Sequence, residues 1–120
     1  MLTLNWSMHP KSKAYLWDAQ QAALAVSSFT AGIEKNDFMQ SLLLRSAVER
    51  QLEILGEALN RVRKLDPDTA DLVPNIHQII ATRNFIVHEY GAVDYEIVWE
   101  VATRRMNSLA ILLGRLLAEG

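Results

Sequence analysis

The chain has 120 residues, half of them apolar and 22% charged, with five Gly, three Pro and no Cys. That is enough for one well-packed domain and short of two, and the lack of cysteine excludes a disulfide scaffold or a thiolate metal site and fits a reducing cytoplasm. A net charge of −2 and a pI of about 5.9 exclude a protein that holds nucleic acid by overall positive charge.

Residues 1–11 read as a poorly ordered extension ahead of a single domain spanning 12–120, with Met8 a second candidate start. The extension has no basic segment followed by a continuous apolar run, so no signal peptide is expected. Over 12–31, Tyr15, Leu16, Ala19, Ala22, Ala23, Val26 and Phe29 recur at threes and fours, which predicts a first helix. Gly32 and the polar stretch 34–37 interrupt it. A short turn at 37–40 then leads into a second helix to about residue 64, with Leu44, Val48, Leu52, Leu55, Leu59 and Val62 as its apolar stripe. Gly56 inside that helix costs about 1 kcal/mol relative to Ala, so another helix is expected to pass close to it. Asp66-Pro67-Asp68 opens a loop that Pro74 closes.

A third helix is expected over 75–90, stopped by Gly91. Asp94 then caps a last helix to about residue 117 through Ile97, Val98, Val101, Leu109, Leu112, Leu113 and Leu116. No stretch alternates as a strand would, and the longest apolar run, 109–113, is far too short to span a membrane. Four long helices with short connections predict an all-α fold, an antiparallel four- to five-helix bundle.

The run from Arg83 to Tyr90 is the most informative stretch. At about 100° per residue, Ile76, Ile79, Ile80, Ile86, Val87 and Tyr90 share one arc of the third helix, and Arg83 falls near its middle. A guanidinium keeps its charge, so an apolar seam needs an anion to meet it there. Glu57 is one candidate partner, in a purely structural pair; a phosphate is the other. His77, Asn84 and His88 form a neighbouring stripe. His77 reads as an ordinary surface histidine, and it lies eleven residues from His88, too far to share an ion, so no metal site is expected. Trp17 and Trp99 read as core or interface aromatics.

Arg83-Asn84-x-x-x-His88-x-Tyr90 resembles the R-N-x-x-x-H-x-Y motif of HEPN domains, specifically the HepT-type toxins. Leu55-Gly56-Glu57-Ala58, Pro74 with residues 77–81, Val93-Asp94 with Val98-Trp99, and the opening Tyr15-Leu16-x-Asp18 are similar to further segments of that family, in the same order. The resemblance covers roughly residues 12–117. It implies a compact HEPN-like helical bundle that forms a homodimer and acts as a metal-independent endoribonuclease toxin, cutting tRNA or mRNA in the cytoplasm without a cofactor. It also implies a cognate minimal nucleotidyltransferase as antitoxin, able to attach adenylate to Tyr90.

The residues suit that chemistry. His88 can act as base or acid near neutral pH, and a helix C-terminus favours its protonated form. Arg83 offers a planar fork for a phosphate. Asn84, four residues before His88, can orient the imidazole or a phosphate oxygen. Arg83 and His88 are about 140° apart around a regular helix, so two copies facing across a two-fold axis would complete one cleft. Catalytic roles therefore fall to Arg83, Asn84 and His88, with Glu57 in support. The alternative is a non-catalytic dimeric helical module that binds a nucleotidyltransferase or a nucleotide.

Overall fold

The apolar stripe along residues 42–65 decides the layout. The structure, a computed structural model, describes residues 6–86 and 93–120, and of residues 83–86 the backbone alone. These contain seven α-helices and no strand: α1 Pro10–Thr30, α2 Lys35–Gln40, α3 Leu42–Leu65, α4 Pro67–Ala70, α5 Ile76–Ile86, α6 Tyr95–Arg104 and α7 Met106–Glu119. The expected all-α bundle is what forms. Val48, Leu52, Leu55, Leu59 and Val62 are all buried along α3, with Gly56 among them. α3 packs against both α1 and α5, and α1 also packs against α7. On α1 the buried face includes Leu16, Ala19, Ala22, Ala23 and Val26. Among the described residues no helix is long and apolar enough to cross a membrane.

Local chemistry sets the helix ends. Pro10 opens α1, where its missing N–H costs nothing, and the Lys11 backbone N–H donates to the His9 ring at 3.1 Å. This is two residues before the expected start. Gly32 turns the chain with φ of +72°, a conformation glycine adopts without a side-chain clash. The expected turn before the second helix is a helix of its own, α2, whose entrance is fixed by the Glu34 N–H donating to the Asp37 carboxylate at 3.0 Å. Ser41 caps α3 by accepting from the Leu44 N–H at 3.1 Å.

Two expectations are corrected. The stretch after Asp66 is a short helix rather than only a loop, because Asp66 is an N-cap and Pro67 sits at the first helical position. The last helix is two, α6 and α7, parted at Arg105, where φ widens to −116°. Two hydroxyls flank the break and bond backwards: Thr103 donates to the Trp99 carbonyl at 2.7 Å and Ser108 to the Arg105 carbonyl at 3.1 Å. Such back-bonding bends helices without Gly or Pro.

Residues 6–9, part of the expected extension, are held against the fold. The Trp6 indole donates to the Thr69 hydroxyl at 2.9 Å, Met8 is buried, and the His9 N–H donates to Asp66 at 2.9 Å. Asp66 is the hub of this corner. Its buried carboxylate also accepts from the Ser12 hydroxyl at 2.9 Å, the Thr69 hydroxyl at 2.6 Å and the Thr69 N–H at 3.3 Å. Burial pushes its pKa up more than any single bond pulls it down, yet the bonds from Thr69, His9 and Ser12 together hold it below the ordinary carboxylate value.

A depressed folded-state pKa favours folding above the ordinary carboxylate range, and that stabilisation is lost as pH falls through the lower folded value. Asp66→Asn is therefore expected to lose about 2 kcal/mol of stability at pH 7. The deficit should shrink below about pH 4, where the wild-type carboxylate protonates as well. Urea denaturation of both proteins at neutral and acid pH measures this. A deficit independent of pH would contradict the assignment of the carboxylate's charge to this role.

Candidate functional site

The helix that carries Arg83 and Asn84, α5, is docked by its first two turns. Pro74 precedes it, and Asn75 takes φ of +61°, a left-handed conformation that asparagine tolerates better than most residues. From there Ile76 and Ile79 are buried in the core while His77 and Gln78 are exposed. Ile80 packs against the core from its edge. α5 lies on α3, so these isoleucines anchor one helix to the other. Thr82 closes a turn by donating to the Gln78 carbonyl at 2.9 Å.

Arg83 and Asn84 belong to the last turn of α5. By register Arg83 comes seven residues after Ile76 and four after Ile79, so its backbone position continues the arc of those two residues. Val87, His88, Glu89, Tyr90 and Gly91 lie outside the described residues. His88 and Tyr90, and with them the expected helix end at Gly91, therefore stand as expectations from sequence. His77 is a surface residue, as expected.

Glu57 is placed on α3, partly exposed, and accepts from the Arg61 guanidinium at 3.1 Å. Arg61 also lies over the Tyr15 ring, 5.8 Å from its centroid. Tyr15 first, then Glu57, hold its pKa above the ordinary value, so this cation is permanent and shared between two helices. With Asp18, Arg50, Glu53, Ile54 and Ala58 these residues line an open groove of about 540 Å³ between α1 and α3. Arg50 pairs with Glu53 there at 3.4 Å. Sequence reasoning singled out Glu57 but missed the groove. The signal was present as opposite charges three and four apart on one α3 face, facing Tyr15 and Asp18. Of the two tryptophans expected in the core or an interface, Trp99 packs on Phe38 with ring centroids 5.2 Å apart, whereas Trp17 is 55% exposed.

Downstream of the motif, α6 begins under tight local control. Asp94 accepts from the backbone N–H groups of Glu96 and Ile97 at 3.0 and 3.4 Å, the expected cap. Tyr95 donates its hydroxyl to Glu49 on α3 at 2.9 Å and meets Phe38 edge-on at 6.4 Å. α3 therefore holds both α5 before the motif's second half and α6 after it.

The family model for HepT-like ribonucleases matches residues 19–116. The chain is 35% identical over 91 residues to "Putative RNase MJ1380" of Methanocaldococcus jannaschii, covering 74% of this chain and 81% of that protein. It is 31% identical over 104 residues to "Probable ribonuclease HepT" of Thermococcus cleftensis, covering 85% of this chain and 92% of that protein. A third similar protein is "Putative RNase TTE0752" of Caldanaerobacter subterraneus, 35% identical over 78 residues, covering 65% of this chain and 69% of that protein. No solved structure matches the chain significantly.

The docking of α5 is open to direct measurement. Ile79→Ala removes a buried anchor between α5 and the core and should cost about 3 kcal/mol, with Ile79→Val costing about 1 kcal/mol. Urea midpoints at constant slope would read this; equal stability of all three proteins would show that α5 is not held in this way.

Proposed function

Because this chain belongs to the HepT-like ribonuclease family, we propose that it is a metal-independent endoribonuclease toxin whose site is shared between two copies. The observation that carries the reading is the complete motif Arg83-Asn84-x-x-x-His88-x-Tyr90 inside the family-matched region. Its first two residues are on a helix docked against α3.

In this reading one His88 takes the proton from a ribose 2′-hydroxyl. The freed oxygen attacks the adjacent phosphorus, and the bond to the 5′-oxygen breaks. The His88 of the second copy gives a proton to that leaving oxygen, yielding a cyclic phosphate and a free 5′-hydroxyl. Arg83 neutralises the charge that develops on the phosphorane oxygens, where a preorganised cation lowers the barrier most. Asn84 orients the imidazole or a phosphate oxygen. Glu57 supports Arg83 from α3. Two copies are invoked because Arg83 and His88 would lie about 140° apart if a regular helix ran through both.

The same site offers a route to silencing. A cognate minimal nucleotidyltransferase would transfer adenylate from ATP to the Tyr90 phenol, with pyrophosphate leaving. The bulky anion beside Arg83 would then occupy the cleft and neutralise its cation. The net charge of −2 weighs against tight, nonspecific coating of RNA.

Expression of the wild type should arrest growth, and His88→Ala at equal protein level should relieve it. Purified wild type should cut RNA in the presence of EDTA, and His88→Ala should not. A harmless wild type, or cleavage that survives His88→Ala, would favour a non-catalytic binding module instead. Intact-mass measurement after co-expression with a minimal nucleotidyltransferase should show added adenylate that disappears in Tyr90→Phe; an unmodified wild type would remove the silencing proposal.

A further inference from the structure

Two grooves on the surface differ in the property that a polyanion reads first. The groove between α1 and α3 is lined by Asp18, Glu53 and Glu57, and its arginines are already taken, Arg50 by Glu53 and Arg61 by Glu57. A phosphate entering it would meet carboxylates that no spare cation offsets. A second groove, of about 370 Å³, lies between the start of α5 and the junction of α6 and α7. Arg105 lines it, and among the described residues no carboxylate does. Nor does Arg105 form an ion pair among the described residues. Its guanidinium donates to the neutral Gln78 amide at 3.5 Å, a long bond that an anionic acceptor displaces at little cost. Its neighbour Arg104, by contrast, is paired with Glu100 at 3.2 Å.

The rest of the lining suits one nucleotide. Pro74, Ile79, Leu109 and Leu112 give an apolar floor, on which a base can leave water. Asn75 and Ser108 add an amide and a hydroxyl, groups that hydrogen-bond base edges or ribose hydroxyls. The planar fork of Arg105 matches a phosphate. The volume stands at the low end of small-ligand sites, room for one unstacked base rather than a duplex. The groove also adjoins the helix that begins the motif. Ile79 is on α5, and the backbone of Arg83 follows it by one turn, about 6 Å along the axis. An RNA strand with a phosphate at Arg83 therefore has a neighbouring nucleotide within reach of the groove.

We infer that this groove is a substrate subsite for single-stranded RNA, with a phosphate on Arg105 and the adjoining base on the apolar floor. The inference rests on the ribonuclease reading and adds to it where the strand lies beyond the bond that is cut. The subsite touches no reacting atom, so it holds substrate without entering the chemistry.

Arg105→Ala should raise KM for RNA about tenfold, the loss of one charge-assisted contact, with kcat within about twofold. It should also lower the slope of log KM against log salt by about one. Arg115→Ala, which removes an exposed arginine from α7 outside the groove, should match the wild type in both. A 2′-O-methyl RNA oligonucleotide lacks the attacking hydroxyl and reports binding alone. Titrated into the wild type, it should shift the amide resonances of Asn75, Gln78 and Ser108, and Arg105→Ala should bind it about tenfold more weakly with the rest of its spectrum unchanged. An unchanged KM in Arg105→Ala, an equal rise in Arg115→Ala, or unmoved resonances along the groove would overturn the inference. If the wild type cuts no RNA, the ribonuclease reading fails, and the oligonucleotide titration by itself decides the subsite.

Discussion

The structure depends on α3 having one apolar face wide enough for two neighbours. Its stripe runs from Val48 through Leu52, Leu55 and Leu59 to Val62 at steps of three and four, with Gly56 and Ala58 buried beside it. Burial of that face is the largest favourable term available to the chain. The two ends of α3 are then fixed by polar groups. At one end Asp66 gathers the segment before α1, the first turn of α1 and α4. At the other, Arg45 and Glu49 gather α2 and the first turn of α6. The remaining face carries paired charges, Arg50 with Glu53 and Glu57 with Arg61, which keep it wet.

That division explains why much of the architecture was legible and where legibility stopped. The stripes on α1 and α3 are periodic, so spacing identified most of their buried residues, while Tyr15, Phe29 and Leu44 are only half-buried at the edge of the core. The break at Arg105 left no such trace, because Val98, Ala102, Met106 and Leu109 continue an unbroken helical rhythm through it. Only the hydroxyls of Thr103 and Ser108 marked it. Asp66-Pro67 was read as the start of a loop, although an N-cap followed by proline is equally the opening of a helix. The Tyr95–Glu49 bond joins residues 46 apart, and no pattern within a helix encodes a partner at that range.

The motif was legible for a different reason. Arg83 was conspicuous as a fixed charge on an apolar arc. The burial of Ile76 and Ile79 confirms that the arc is real at its first two turns. A cation continuing such a row is costly unless an anion meets it. In the proposed site Glu57 on the neighbouring helix and an RNA phosphate would be compatible answers, since a carboxylate that orients a guanidinium leaves its outer edge for a ligand. In the proposed dimer the arc would serve as interface and inner wall together, and residues five apart on a regular helix lie about 140° from each other.

The claim that the site belongs to two chains is tested most directly by refolding wild type with His88→Ala and isolating the mixed dimer, which carries a single His88. Because the His88 of one copy takes a proton and that of the other gives one, the mixed dimer should be nearly as inactive as the His88→Ala homodimer. Substantial ribonuclease activity in the isolated mixed dimer would contradict a site composed of two copies.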